Sequence, residues 1–218
     1  MALCALCSCE GIAAKMPVFS LEGKPLKESA EVVEHKAGDL IEPAPYEWRA
    51  DRDMLIAYGT WRGIDGTIAI ERATKKDRAN WPKRAAATDA RTLFNGWNRA
   101  ADTYLATRVE RETFPWGAAV TALTQDSQLR CYSPYNDNLK YELRGITADG
   151  KYLITAIFKV KHRRLPATWE KARQWSDDAS EAASDPDVRM LNAAAPGDFS
   201  PSLSAINDLL STLRESGR

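Results

Sequence analysis

The chain predicts an α+β fold, a curved antiparallel sheet of about five to seven strands packed by a long central helix and a C-terminal helix. Three observations carry this reading. Apolar and polar residues alternate from Leu139 to Val160 on both sides of Asp149-Gly150. Apolar residues recur at helical steps from Asn80 to Arg108. The same helical spacing returns near the C-terminus, behind Ser200-Pro201.

The hairpin is the clearest element. Leu139, Tyr141 and Leu143 alternate with Lys140, Glu142 and Arg144. After the turn, Tyr152, Ile154, Ala156, Phe158 and Val160 alternate with Leu153, Thr155, Ile157 and Lys159. A side-chain period of two marks strands with one face buried. Asp149-Gly150 supplies the positive backbone angles of a tight turn. A second hairpin is predicted from Met54 to Trp61 and from Thr67 to Ala73. Its turn, Arg62 to Gly66, again carries Asp-Gly, and Leu55, Ala57 and Trp61 share one face. Gly59 marks a bulge or a close backbone approach. Short strands are expected at Val18 to Leu21, at Glu31 to Glu34 and at Ala118 to Leu123. The last of these follows a break at Phe114-Pro115-Trp116-Gly117, and Lys75 to Arg78 reads as a charged loop.

The central helix is expected over Asn80 to Arg108. Asn80 or Pro82 suits its start. Ala86, Ala90, Leu93, Phe94, Trp97, Ala101, Tyr104 and Leu105 form one apolar stripe, which needs a broad apolar partner such as a sheet. Thr168 caps a further helix through Trp169, Ala172 and Trp175. The last helix starts with Ser200 as cap and Pro201 in the first position, and carries Leu203, Ile206, Leu209, Leu210 and Leu213. Phe199 is placed to pack back on its first turn. Residues 17–218 read as a single domain, with a polar, poorly packed connector near 177–198, where Asp185-Pro186 and Pro196-Gly197 interrupt the pattern.

Composition excludes several classes. The 218 residues carry 30 basic and 30 acidic side chains. A net charge of zero gives no whole-chain attraction to nucleic acid or to an anionic membrane. No apolar run approaches the ~20 residues of a membrane-spanning helix. Three of the four cysteines, Cys4, Cys7 and Cys9, crowd the start, while Cys131 stands alone. A tetrahedral metal site needs a second ligand pair, and the sequence offers none. Residues 1–16 have two readings. In one they are a signal remnant whose Leu6-Cys7-Ser8-Cys9 makes Cys9 a lipidated N-terminus and so a membrane tether. In the other they are an apolar tail of a cytosolic protein.

Reactive constellations are missing from the sequence. It contains no glycine-rich phosphate loop and no Gly-x-Ser-x-Gly elbow. No cofactor is expected. His35 lies between Glu34 and Lys36, and His162 lies among cations that disfavour its protonation. Glu110 with Glu112, and Asp177 with Asp178, read as solvated surface. The remaining candidates are for partner binding. Trp116, Tyr132 and Tyr135 are aromatics in loops flanking strands. Lys159, Lys161, His162, Arg163 and Arg164 form a basic strand end, which either binds an acidic partner or merely faces water.

Three pieces carry a resemblance: Tyr135-Asn136-Asp137-Asn138 with Leu139 to Glu142; Gly145 to Tyr152; and Leu191-Asn192 with Phe199 to Leu203. Together they resemble a group of bacterial secreted proteins and lipoproteins, across roughly the C-terminal ninety residues. The group's pattern implies a proline near Lys159, where this chain departs from it. The order of elements is also similar to the PsbP-like α/β/α architecture. Neither resemblance brings a catalytic residue. The lipobox-like start and the lack of a reactive constellation lead to the expectation of a non-enzymatic binding or assembly lipoprotein of the cell envelope, periplasmic or at the surface, that acts through contacts with a protein partner. Two alternatives remain: a small enzyme or ligand carrier with a cleft between long helix and sheet, for which Gly59, Gly96 and Gly145 would leave room, and a cytosolic adaptor of the GTPase-binding kind.

Overall fold

The computed structural model describes residues 16–36, 40–41, 48–49, 53–86, 103–126, 132–174 and 184–216. In chain order these form β1 (Val18–Leu21), β2 (Lys24–Pro25), α1 (Leu26–Ser29), β3 (Glu31–His35), β4 (Leu40–Ile41) and β5 (Trp48–Arg49). Next come β6 (Met54–Trp61), β7 (Ile64–Arg72), α2 (Lys75–Ala86), β8 (Thr103–Phe114), β9 (Gly117–Asp126), β10 (Leu139–Thr147) and β11 (Tyr152–Lys159). The rest are β12 (Lys161–His162), α3 (Pro186–Ala193), β13 (Phe199–Ser200), α4 (Leu203–Leu210) and β14 (Arg214–Ser216). The class is α+β, and its centre is a 7-stranded antiparallel sheet in the order β3-β6-β7-β11-β10-β9-β8.

The period of two assigns the sheet's faces. Leu55, Ala57, Ile68, Ile70, Leu123, Leu143, Ile154 and Phe158 share the inner face and one buried cluster. A second layer closes over them. It consists of α1, α4 and a 3-stranded sheet in which β1 pairs with both β14 and β2. Phe19, Leu21, Leu26, Ile206 and Leu209 supply its apolar side. α4 presents Leu203, Ile206, Leu209 and Leu210 as its buried stripe. It begins two residues later than the sequence suggests: Ser202 is the cap, its Oγ accepting from Ala205 N at 3.1 Å. Ser200, taken above as the cap, instead belongs to β13, which pairs with β12. Leu213 lies beyond α4, buried just before β14.

The main hairpin stands as read, with Gly150 alone taking the positive φ of its turn. One expectation about it fails. Its second face is not solvated, because Glu142 and Arg144 are buried there together with Leu153. α2 packs on this outer face, where Ala85 meets Val120 and Ala122. The second hairpin also forms, but Arg62 and Gly63 make its turn, both with positive φ. Asp65-Gly66 lies inside β7, paired with Thr60 and Gly59. The pairing runs unbroken past Gly59, so that glycine marks a close approach rather than a bulge.

The central helix needs two corrections. Lys75 to Arg78 is not a loop but the first turn of α2. Asp77 N donates to Thr74 Oγ1 at 3.1 Å, and Thr74 N donates back to Asp77 Oδ2 at 2.9 Å. This reciprocal box closes two orphan donors at the helix start. At the other end, Thr103 to Arg108 is strand, pairing with β9 at Thr103, Leu105, Ala106 and Thr107. Leu105 and Thr107 point inward, while Ala106 and Arg108 are less buried. Tyr104 and Leu105 fit a helical stripe by spacing alone; Leu105 instead pairs with Gln125 on β9, and Tyr104 falls at a register shift in that pairing. Residues 87–102, with Leu93, Phe94, Gly96 and Trp97, lie outside the described residues.

The stretch after β12 differs as well. Trp169–Lys171 is a single 3-10 turn rather than a helix capped by Thr168. Within the connector, α3 is well built, with Val188 and Leu191 buried. Asp185 caps α3 and Pro186 sits in its first turn. The same dipeptide that looked like an interruption is therefore a helix start.

Candidate functional site

A groove with convergent charge lies at the end of the sheet where β11 finishes and β10 begins. The chain turns at Arg163-Arg164 directly after β12. Asn136 fixes this turn. Its Oδ1 accepts from His162 N at 2.7 Å, and its Nδ2 donates to the carbonyls of His162 and Leu165 at 3.2 Å each. His162 is buried, with its ring centre 5.1 Å from that of Phe199. Its Nδ1 accepts from Arg164 N at 3.3 Å.

α3 forms the opposite wall. Asp185 Oδ1 accepts from Asp187 N at 2.7 Å and from Val188 N at 3.2 Å. The second oxygen of Asp185 accepts from Ser133 Oγ at 2.7 Å. This buried bridge ties α3 to the segment before β10. Between the walls lies an open groove of about 480 Å³, whose lining includes His162, Arg163, Arg164, Arg189, Met190 and Asp198. Arg163 Nη2 lies 3.6 Å from Asp198 Oδ1. Beyond Ser133 the aromatics gather. Tyr132 lies 5.5 Å from Trp169 and 6.5 Å from Tyr135, centre to centre. Trp169 is 49% exposed, the most exposed large apolar side chain among the described residues.

The sequence candidates thus divide. Tyr132, Tyr135, His162, Arg163 and Arg164 come together at this end, with Lys159 and Lys161 exposed on the strand leading into it. Trp116 does not belong with them. It occupies the β8–β9 turn, next to Thr147 at the opposite sheet end, because Gly117 pairs with Thr147. It is buried, stacked on Phe114 at 5.0 Å, and its Nε1 donates to Leu210 O at 2.9 Å. Trp116 is a core residue. Cys9 and Cys131 lie outside the described residues, as do Asp177 and Asp178. Arg189, Asp198, Asn136 and Trp169 were missed. Only Asp185-Pro186 signalled the helix that brings Arg189 in.

At the two described glycines named for a cleft, Gly59 and Gly145, the space is taken by the protein itself, while Gly96 lies outside the described residues. A Cβ on Gly59 would stand 2.8 Å from the Trp61 ring, and one on Gly145 would stand 2.7 Å from the Trp116 ring. These glycines make room for the protein's own tryptophans. Glu110 and Glu112 lie on the inner-face side of β8, each still partly exposed. Burial, then Glu110, pushes the Glu112 carboxyl above its ordinary 4.5. Tyr141 donates to Asn207 Oδ1 at 3.0 Å. Burial raises its hydroxyl above 10.0, Thr121 and Asn207 pull it back, and the two glutamates add to the rise.

Burial also lowers His162 below its ordinary 6.5; Arg164 and Arg163 add to this, while Asp198 and Asp187 oppose it. Sequence reading had the direction but named the cations as the cause. The consequence is acid sensitivity. Well above pH 6.5 the ring is neutral in both states. Below it the unfolded chain takes a proton that the folded ring refuses, so stability falls with pH. Asp187 is raised from 3.8 by burial and Asp185, with Arg164 and His162 opposing. Asp187 and Glu112 act in the opposite sense, at lower pH. Urea unfolding between about pH 6.5 and 5 is therefore expected to show falling stability, and His162→Gln to flatten that slope. An unchanged slope in the variant would assign the acid loss to other groups.

No cluster of His, Cys, Asp and Glu suited to a metal occurs among the described residues. No described helix is long and apolar enough to cross a membrane. Comparison with protein-family models, with curated proteins and with solved structures finds no match. Function is therefore argued from the site.

Proposed function

We propose that the protein is a non-enzymatic binding or assembly lipoprotein of the cell envelope, tethered through Cys9, whose basic and aromatic sheet end engages a protein partner. One observation supports this above the rest: three arginines from two separate elements line one groove, and an exposed Trp169 with two tyrosines gathers at the same sheet end. Arginine and aromatic side chains carry much of the energy at protein interfaces. The surrounding hydrogen bonds of Asn136 and Asp185 hold both walls in place before any partner arrives, which lowers the ordering cost of binding. α2 on one sheet face and α1 with α4 on the other are compatible with a PsbP-like sandwich, and we carry that finer reading as part of the proposal.

The test is site-specific photo-crosslinking in the native host. A crosslinker at Trp169 is expected to give a discrete adduct in the envelope fraction. One at Lys151, in the β10–β11 turn at the far end, gives none. Charge reversal with R163E/R164E is expected to abolish the Trp169 adduct. Equal adducts from both positions, or an adduct indifferent to charge reversal, would sink the reading. Mass spectrometry of the same fraction checks the tether: an intact, unlipidated Met1 removes it.

A further inference from the structure

We infer that the groove between α3 and the Arg163-Arg164 turn is a small-molecule site for an anionic group, a carboxylate or phosphate head joined to an apolar body. The inference rests on the same groove as the partner-binding reading and names a ligand for it. Size comes first. At about 480 Å³ the groove lies within the range of small-ligand sites, roughly 300–1,000 Å³. A lone inorganic anion would leave most of it unfilled.

Charge decides the head group. Arg163 and Arg164 approach from the turn and Arg189 from α3. Each guanidinium is a planar fork of donors that matches the oxygens of a carboxylate or phosphate. Their existing partners leave donors over. Arg189 uses Nη1 on the Ser184 carbonyl. The contact of Arg163 with Asp198, at 3.6 Å, is too long for a hydrogen bond. Asp198 is the acid in the lining, and Asp187 stands nearby on α3; with both counted as charged, the two acids still number fewer than the three arginines. Three fixed cations therefore outweigh the acids facing them.

The rest of the lining decides the body. Pro186, Met190 and Ala193 contribute apolar surface from α3. Methionine adapts its shape to a range of apolar groups. His162 closes the wall as a neutral ring at pH 7, so it adds no fixed charge of its own.

Calorimetric titration of the full chain at low ionic strength tests the head-group site, with citrate and inorganic pyrophosphate as probes. Saturable binding to one site is expected for at least one of them. R164A and R189A should each weaken it about tenfold, since each removes a charged hydrogen-bond donor. R164K should fall between, keeping the charge but losing the fork. K151A, at the far sheet end, should bind like the parent. Thermal melts matched to the parent exclude unfolding as the cause. No saturable heat with either probe, or equal affinity in all four variants, overturns the inference. Retention on anionic phosphatidylglycerol vesicles without binding of either soluble probe overturns it too, because the surface would then be reading a membrane. The two proposals fail separately: citrate binding with no Trp169 adduct sinks only the protein partner, and the reverse sinks only the small ligand.

Discussion

Replacing Arg144 with methionine is expected to destabilise the fold by about 3–5 kcal/mol, the cost of leaving a buried charge unpaired. Arg144 and Glu142 stand two apart on β10, so both point to the outer face, and each side chain is 5% exposed. Arg144 Nη2 lies 3.4 Å from Glu142 Oε2. Thr124 Oγ1 donates to the other oxygen of Glu142 at 2.9 Å. Burial works against the charge on Arg144, and Glu142 and Glu71 work for it. Without the guanidinium, the Glu142 carboxylate keeps Thr124 but loses its counter-charge. It should then hold a proton more tightly in the folded state than in the unfolded one. R144M should therefore recover stability as pH falls, in the opposite sense to His162. The double variant E142L/R144M removes both charges. It is expected within about 1 kcal/mol of the parent, or above it, because desolvating two ions offsets most of their attraction. Urea unfolding of the parent, both single variants and the double variant closes the cycle. A single-variant loss below about 1 kcal/mol would mean that water reaches the pair and screens it.

This pair also marks where the sequence misleads. Alternation placed Leu139, Tyr141 and Leu143 correctly inside, and the pairing of β10 with β11 follows from it. Alternation alone cannot tell a solvated face from one covered by a further layer carrying its own charges. Lys140, Glu142 and Arg144 look alike in sequence, yet only the last two lie under cover. The helix reading failed for a related reason. Tyr104 and Leu105 satisfy a helical step and also flank an inward-facing strand pattern, and a window of six residues does not separate the two periods. The start of α2 was legible: Thr74 and Asp77 stand at the spacing of a capping box, but the surrounding lysines made a solvated loop the simpler reading. At the site, the basic run from Lys159 to Arg164 was visible because it is contiguous. Arg189 and Asp198 reach the same groove from 25 and more residues away in the chain. Only the docking of α3 through Asp185 and Ser133 brings them in, and no local pattern encodes such a contact.

Gly66→Ala is expected to cost about 1–3 kcal/mol, by overpacking the inner face against the Phe158 ring. Gly66 pairs with Phe158 on β11 and with Gly59 on β6. A Cβ at Gly66 would stand 2.3 Å from Phe158 Cδ1 and 3.1 Å from Ile157 O. The Phe158 ring, fully buried, lies across the gap that this glycine leaves. Gly59 does the same for Trp61, whose Nε1 donates to Ser29 Oγ at 3.3 Å. Two facing glycines therefore let the Phe158 ring lie against the neighbouring strand β7 and the Trp61 ring against its own strand β6, where alanines would lift both into the second layer. Phe158→Ala should cost about 3–5 kcal/mol through the cavity it opens. The informative measurement is the double variant. If ring and glycine are complementary, the methyl of G66A enters space that F158A has vacated. The double variant should then lie close to F158A alone, at least about 1 kcal/mol better than the sum of the singles. Strict additivity would show that the alanine is resisted by the backbone at Ile157 rather than by the ring. The same comparison bears on the groove, since Phe158 stands immediately before the strand end that leads into it. A variant with a displaced ring and an unchanged anion affinity would show that Asn136 and Asp185, not the core beneath, hold the arginines in position.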